Sequence, residues 1–554
     1  MVRVLVADPI ARDGVEVLRN GADVDIKTGL TPQELAVIIG DYDALVVRSE
    51  TKVTEEVLAA GVKLQVVARA GVGIDNVDVA AATARGVLVV NSPHGNTTAA
   101  AELTVALMLA LARRIPQADA ALRSGRWDRK RFVGTEVYGK TLGIIGLGKI
   151  GAEVAKRARA MGMEVLAYDP FAAQSMAAQA GVQLRDLPSI LSDSDFISLH
   201  TPLTDQTRGM IGAPEIAKMR DGVRIINCAR GGLIDEVALA EAIQGGKVAG
   251  AALDVYAAEP VDPANPLLAL DENVVTPHLG ASTAEAQVAV SVDVALQVLD
   301  VLEGRPARCP VNMPHLTAEV YAALMPYLGL GHRMGSLIGQ LARTDTGNGC
   351  PMDAVEVRYS GDFGDRPTTP ITRSILAGLM TPVLSEPANM INALTLASAR
   401  GIHVSEMSTP SREEYSTLVS VTLRSGERTW SVSGTAYGPN LLRIIDLNGY
   451  EVTFSPAGTL LITMHEDRPG MIGHIGTLIG QHRVNIGGMD LGRKHEGGLA
   501  LMVMSVDDPI GEALLTQIRD LDSIRAAHVV VLAPAGESAT NGIQSAKLAG
   551  AGLT

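Results

Sequence analysis

The stretch TLGIIGLGKIGAEVAKRARAMGMEVLAYD, residues 141–169, decides the fold. The apolar run Thr141 to Ile145 reads as a buried strand, three glycines follow (Gly146, Gly148, Gly151), and Ala152 to Ala160 reads as a helix. A dinucleotide fingerprint needs that order. Gly146 permits the tight turn, Gly148 lets the backbone approach a pyrophosphate, and Gly151 lets the helix pack closely on the strand, with its N-terminus facing the anion. A second strand, Glu164 to Tyr168, ends in Asp169. This acid stands at the spacing of about 20 residues expected for the group that takes the adenosine ribose hydroxyls. A carboxylate there repels a 2′-phosphate, so the pattern predicts NAD rather than NADP.

Upstream of this stretch, β-branched runs (Val2 to Ala7, Ala44 to Arg48, Leu64 to Ala68, Val87 to Asn91) alternate with helix-like segments such as Pro32 to Ile39 and Thr54 to Ala60. That alternation implies a parallel sheet. A long Ala/Leu helix is expected from Thr97 to Arg114, ending before Pro116. Downstream, runs at Phe196 to His200, Arg224 to Cys228, Gly250 to Leu253 and Val274 to Thr276 continue a second βα array. The segment RPARCPVNMP, Arg305 to Pro314, carries three prolines and reads as a linker. Beyond it the pattern changes to strands joined by turns. Ser416 to Leu423 and Arg428 to Ser433 flank an SGE turn, and Leu442 to Leu447 and Tyr450 to Phe454 flank Asn448-Gly449, a strong hairpin signal. A last unit reads strand, helix (Pro469 to Gln481), strand, strand, helix, strand from Thr459 to Leu532, the ferredoxin-like βαββαβ order. The tail from Pro534 to Thr554 lacks periodicity and is expected to be loosely ordered.

Composition sets outer bounds. A chain of 554 residues predicts three or four domains. Its 47 Lys and Arg against 61 Asp and Glu give a net charge of −14, a field that repels nucleic acid and anionic membranes. An anionic ligand must therefore be held by a local basic cluster. Three cysteines (Cys228, Cys309, Cys350) without a CxxC pair argue against a disulfide scaffold and against a thiolate zinc site, and point to the cytoplasm. The longest apolar run, Leu103 to Ala112, is shorter than the ~20 residues that cross a bilayer.

A dehydrogenase also needs a group that takes the hydroxyl proton and a grip on the substrate carboxylate. Loops after strands offer Arg230, a guanidinium fork backed by glycines, and Glu259 and His278, which if paired make an oriented acid/base. On local sequence alone each also reads as a solvated loop residue. For a phosphate on the substrate, Arg48, Arg69 and the basic run Trp127 to Arg131 supply cations.

The runs NSPHGNTTAAAELT (91–104), GLGKIG (146–151), CARGG (228–232), LDVYAAEP (253–260) and TPHLGAS (276–282) together resemble the D-isomer-specific 2-hydroxyacid dehydrogenase family, and within it the long branch that oxidises 3-phospho-D-glycerate. The resemblance implies an α/β fold. A discontinuous, flavodoxin-like substrate domain (1–97 and 283–314) would be interrupted by a Rossmann NAD domain (98–282). An α+β intervening domain (317–453) and a ferredoxin-like ACT regulatory domain (458–533) would follow, then the tail (534–554). It implies Arg230, Glu259 and His278 as the catalytic set. It places the cofactor against Gly146, Gly148, Lys149, Ile150, Gly151, Asp169, Thr201, Cys228, Ala229, Arg230, Asp254, His278, Leu279, Gly280 and Ala281. The substrate would meet Arg48, Ser49, Arg69, Gly71, Arg129 and Arg131, the last two from a run that could reach a neighbouring subunit of a dimer or tetramer. His465, Asp467 and Asn485 would hold L-serine at a C-terminal dimer interface, with feedback inhibition of the first step of serine synthesis as the consequence. Two other readings stay open at this point: a dehydrogenase for glycerate, glyoxylate or 2-hydroxyglutarate, and an NAD-sensing or amino-acid-sensing binding protein.

Overall fold

In the computed structural model, residues 2–346, 351–363, 366–384, 388–409, 415–438 and 440–534 are described. Five short strands, β1 (Arg3–Val6), β2 (Asp23–Ile26), β3 (Ala44–Val47), β4 (Val66–Arg69) and β5 (Leu88–Asn91), form one parallel sheet in the order β2-β1-β3-β4-β5. All four residues of β3 are buried, as expected for a strand covered by helices on both faces. One covering comes from far along the chain. The helix Ala284–Leu302 packs Val290, Val294, Val298 and Val301 into the same apolar cluster as Val4, Val46, Val66 and Val90. The Pro-rich segment that follows this helix does not simply hang between domains. The Val311 N–H donates to the Val89 carbonyl (2.8 Å), and the Asn312 side chain accepts from the Val89 N–H (2.9 Å) and donates to the Val87 carbonyl (2.9 Å). The segment therefore closes the open edge of β5.

The second sheet has seven parallel strands: β6 (Thr141–Ile145), β7 (Glu164–Tyr168), β8 (Gln183–Leu184), β9 (Phe196–Leu199), β10 (Val223–Asn227), β11 (Val248–Leu253) and β12 (Val274–Val275). Their order, β12-β11-β10-β9-β6-β7-β8, reverses between β6 and β9. The crevice beyond the carboxyl ends at such a reversal is where doubly wound sheets bind ligands. The helix Thr97–Arg113 leads into this sheet and ends before Pro116, as the sequence suggests. Arg114 takes a left-handed conformation (φ 52) and a second helix, Ile115–Arg123, begins with Pro116 in its first turn, where the missing N–H costs nothing.

The remainder is built around a 29-residue helix, Ala318–Thr346. It carries a mixed sheet, β14-β13-β15-β16-β17-β18, formed by β13 (Ala354–Gly361), β14 (His403–Thr409), β15 (Thr417–Ser425), β16 (Arg428–Ala436), β17 (Leu442–Leu447) and β18 (Tyr450–Phe454). Asn448 and Gly449 turn the last hairpin with positive φ at both positions (55 and 75), the geometry that Asn-Gly favours. The long helix meets the helix Thr369–Met380 backbone to backbone. A Cβ on Gly335 would lie 2.0 Å from the Ile375 carbonyl oxygen, and one on Gly378 would lie 2.0 Å from that of His332.

The last unit has β19 (Gly458–Glu466), β20 (Ile486–Arg493), β21 (Leu499–Val506) and β22 (Ile524–Leu532) in the ferredoxin-like order β20-β21-β19-β22. Its first helix starts at Met471, capped by Gly470 (φ 94), so Pro469 stands before the helix rather than in its first turn. The Gln340 side chain bonds both the N–H (3.0 Å) and the carbonyl (2.8 Å) of Val531, covering the edge of β22 with the long helix. The buried Arg333 donates to the carbonyls of Pro456 (3.1 Å) and Pro534 (2.9 Å). Beyond Pro534 the expectation of a loose tail falls outside the described residues. No helix among the described residues is long and apolar enough to cross a membrane.

Because Gly335 has no room for a side chain, Gly335→Val is expected to destabilise the chain by about 1–3 kcal/mol, the usual penalty for overpacking. Urea unfolding followed by circular dichroism would read this as a lower midpoint at unchanged slope; an unchanged midpoint would mean that the two helices separate freely.

Candidate active site

The fingerprint glycines have three distinct environments. Gly146 has φ 98, and a Cβ there would lie 2.7 Å from the His200 carbonyl oxygen. A Cβ on Gly151 would lie 2.2 Å from the Gly146 carbonyl oxygen, whereas one on Gly148 would meet open space. The turn and the helix contact are thus filled by protein, and the place for a pyrophosphate is left clear. The helix Lys149–Ala160 has no side-chain cap on its first N–H groups, which suits an anion. Asp169 lies at the end of β7 with Oδ2 accepting from the Leu147 N–H (2.8 Å) and Oδ1 from the Phe171 N–H (2.9 Å), which fixes the carboxylate beside the glycine turn. Thr201 follows β9, with its methyl 3.0 Å from the position a Gly146 Cβ would take. These residues fit NAD. Burial pushes the His200 imidazole down to about 4, and it sits 2.9 Å from the Ser198 hydroxyl; burial pushes the Cys228 thiol up to about 12. Both are neutral at physiological pH, so neither supplies charge or a thiolate nucleophile.

Three loops at the carboxyl ends of the second sheet bring Arg230, Glu259 and His278 together. Asn227, the last residue of β10, accepts from the Ala229 N–H (3.0 Å) and donates to the Arg230 carbonyl (2.9 Å), folding the turn that presents Arg230. A Cβ on Gly231 would lie 1.7 Å from the Tyr256 carbonyl oxygen, so the Arg230 loop touches the Glu259 loop only because this residue is glycine. Glu259 accepts from the Tyr256 N–H at 3.1 Å through Oε1 and meets His278 Nδ1 at 2.6 Å through Oε2. Burial alone would raise the Glu259 carboxyl, but the bonds from His278 and the Tyr256 N–H, with the Arg230 charge, outweigh it and hold the group below its usual range. His278 itself is held in a left-handed conformation (φ 56) by its N–H bond to the Asp254 carbonyl (2.8 Å).

Asp254 is buried, and its carboxylate accepts from the Thr276 hydroxyl (2.6 Å) and from the N–H groups of Leu279 (2.7 Å) and Gly280 (2.9 Å). Burial raises its carboxyl above the usual value against these donors. Both oxygens are thus committed to shaping the loop His278 to Ala281, and in this chain Asp254 positions that loop.

A cationic cluster faces this trio from the first sheet. Arg48 follows β3 and Arg69 ends β4. Arg69 Nε is buried without a hydrogen-bond partner, and its guanidinium is brought down to about 10 by burial, then by the charges of Arg230 and Arg48. A Cβ on Gly71 would lie 1.8 Å from Arg69 Nη1, so glycine there makes room for the guanidinium. Asp8, just beyond the run Val2 to Ala7, accepts from the N–H groups of Arg48 (2.6 Å) and Thr51 (3.1 Å), holding the exposed Ser49 between them. The structure does not bring Arg129 and Arg131 into this cluster. Both are exposed, and Arg131 pairs with Asp271 (2.8 Å), which precedes β12, whereas His278 follows it.

In the last unit His465 is buried and bonds the Ala500 carbonyl across the sheet (3.1 Å), so it does not open onto a surface site. Asp467 pairs with Arg493 (3.0 Å) and accepts from the Gly497 N–H (3.3 Å). Asn485 bonds Asp507 (2.6 Å). The two residues flank opposite ends of the 8-residue β21, about 26 Å apart at strand spacing.

The family model described as the D-isomer specific 2-hydroxyacid dehydrogenase NAD binding domain matches residues 105–280. The D-3-phosphoglycerate dehydrogenase intervening domain matches 323–448 and the ACT domain 458–523. A D-3-phosphoglycerate dehydrogenase of Archaeoglobus fulgidus is 45% identical over 96% of this chain and the whole of that one. That of Bacillus subtilis is 41% identical over the same shares. The crystal structure of the TT0316 protein from Thermus thermophilus, 36% identical, covers 56% of this chain and all of its own with a TM-score of 0.53. With the fingerprint, the paired His278 and Glu259 and 96% of the chain matched, this chain belongs to the D-3-phosphoglycerate dehydrogenases, NAD-dependent enzymes of the D-isomer-specific 2-hydroxyacid dehydrogenase family.

Proposed function

We propose that the chain oxidises 3-phospho-D-glycerate to 3-phosphohydroxypyruvate, the opening step of L-serine synthesis, and that Arg230, Glu259 and His278 carry the reaction. The observation that carries this reading is the 2.6 Å His278–Glu259 pair set beside the cationic cluster of Arg48, Arg69 and Arg230. NAD, when bound along the fingerprint, supplies the hydride acceptor. Arg230 grips the carboxylate and the polarised C2 oxygen, and the imidazole takes the hydroxyl proton at Nε2 because Nδ1 is engaged by Glu259. The Glu259 carboxylate then stabilises the imidazolium that forms. Arg48 and Arg69 face the phosphate, and the unpaired, buried Nε of Arg69 favours a substrate with a second anionic group over glycerate or glyoxylate.

Assembly and regulation extend this reading. Trp127, Val133 and Tyr138 are 80%, 78% and 77% exposed, a set of large apolar side chains that a second copy of the chain would cover, with Arg129 and Arg131 carried to that copy. L-Serine would bind where Asp467 of one copy meets Asn485 of another, since within one chain they flank opposite ends of a strand. The free thiols of Cys228 and Cys309 suit a reducing cytoplasm.

His278→Ala is expected to lower kcat by about 10²–10⁴ with little change in NADH affinity, read by steady-state rates and NADH titration. Glu259→Gln removes the carboxylate that meets His278 Nδ1 and should lower kcat with little change in NADH affinity. An unchanged kcat would separate Glu259 from the proton transfer. Asp467→Ala and Asn485→Ala should each abolish inhibition by L-serine while keeping turnover, and persistent inhibition would place the effector elsewhere.

A further inference from the structure

Arg230 is braced from both sides of the cleft. Its Nη1 donates to the Ala229 carbonyl (2.7 Å) within its own loop, and its Nε lies 3.3 Å from Oδ2 of Asp75, which belongs to the other sheet's loop after β4. The backbone beneath this pair is glycine: a Cβ on Gly73 would lie 2.4 Å from Arg230 Nη2 and 2.8 Å from the Asp75 carboxylate oxygen. The loop is itself anchored, because the neighbouring Asn76 side chain donates to the carbonyls of Arg48 (2.8 Å) and Thr51 (2.7 Å). Asp75 is 70% exposed at its side chain, so the fold has no need of it as a core anchor. Charge gives it a task. Arg69 and Arg230 repel one another, and the Asp75 carboxylate is attractive to both.

From the two braces on Arg230, one in each sheet's loops, we infer that Asp75 is a positioning residue for substrate recognition: it fixes the Arg230 guanidinium from across the cleft and leaves Nη2 to the substrate carboxylate. The inference rests on the reading of Arg230 as the carboxylate grip. The pair also ties that grip to the approach of the two domains, because Arg230 finds its second brace only where the loops meet.

The test is steady-state kinetics of the full-length enzyme carrying Asp75→Asn, Asp75→Glu, Arg230→Ala, or Asp75→Asn with Arg230→Ala. Asp75→Asn should raise KM for 3-phosphoglycerate by about tenfold and leave KM for NAD unchanged, since a loosened guanidinium weakens a charge-assisted bond to one ligand only. The inhibition constant of glycerol 3-phosphate, which has the phosphate but no carboxylate, should not move. Asp75→Glu should recover part of the loss, and the double variant should be no worse in KM than Arg230→Ala. A KM unchanged in Asp75→Asn overturns the inference, as does a lowered one, which would make Asp75 a competitor of the substrate. An equal shift for glycerol 3-phosphate overturns it too, by showing a disturbed loop. Failure of Arg230→Ala to raise KM would overturn the underlying reading of Arg230, whereas a normal response there with a silent Asp75→Asn overturns only the role of Asp75.

Discussion

Gathering guanidinium groups at one cleft works against their mutual repulsion, and the architecture follows from that constraint. Burial of Arg69 and the charges of Arg230 and Arg48 together bring its guanidinium down to about 10, still protonated at neutral pH. The cluster therefore persists as a charged site ready for a multiply charged anion, in a chain whose net charge of −14 would otherwise repel one. What keeps the cations in place is a set of carboxylates and amides that never meet the reacting atoms. Asp8 holds the Arg48 loop, Asn227 folds the Arg230 turn, and Asp254 shapes the His278 loop. Each is at most 2% exposed. In a low-dielectric setting such bonds are stiffer than their surface counterparts, so they fix the reacting groups before substrate arrives.

The parts legible in the sequence are those dictated by local backbone needs. Gly146 and Gly151 stand where a side chain would strike the His200 or Gly146 carbonyl, and Asn448-Gly449 stands where both residues turn with positive φ. Such demands leave few alternatives in residue type, and their spacing is readable without coordinates. The long helix Ala318–Thr346 was not readable in this way: Pro326 and the glycines at 331, 335 and 339 are helix-breaking residues by propensity. In the folded chain those same glycines let a second helix approach to backbone contact, so a tertiary gain overrides the local penalty. Strand β2 lacks a strand signal in the sequence for a related reason. Its sequence DVDI has acids at alternate positions because it lies at the edge of its sheet, where Asp25 serves Arg3 and Tyr42 instead of a core.

For the site, strand-end loops revealed Arg230, Glu259 and His278 as residue types, but their pairing could not be read, since 19 residues separate Glu259 from His278. Geometry supplies that pairing. It also separates the basic residues of the sequence: Arg48 and Arg69 join the cluster with Arg230, whereas the exposed Arg131 pairs with Asp271. Asp254 shows a second limit of sequence reading. A buried carboxylate and a ligand-binding one look alike in sequence, and only its donors, the Thr276 hydroxyl and the Leu279 and Gly280 N–H groups, show that its oxygens point inward.

The C-terminal half touches the catalytic half at a place with mechanical leverage. The Asn389 side chain donates to the Gly86 carbonyl (2.8 Å), Gly86 lies at the turn into β5, and Ile391 is buried in the apolar cluster of the first sheet. The strand β5 pairs with β4, whose last residue is Arg69, so the intervening domain is seated one strand away from the cationic cluster. The long helix continues the connection, through Gln340 and Arg333, to the ACT sheet. A ligand at the ACT end acts on catalysis only through a difference in its affinity for two arrangements of this stack, typically ~1–3 kcal/mol. A ligand bound as proposed, between Asp467 of one copy and Asn485 of another, would bind only the associated form, so its binding free energy would also be association free energy. His278, Glu259 and Arg230, by contrast, come together within one chain.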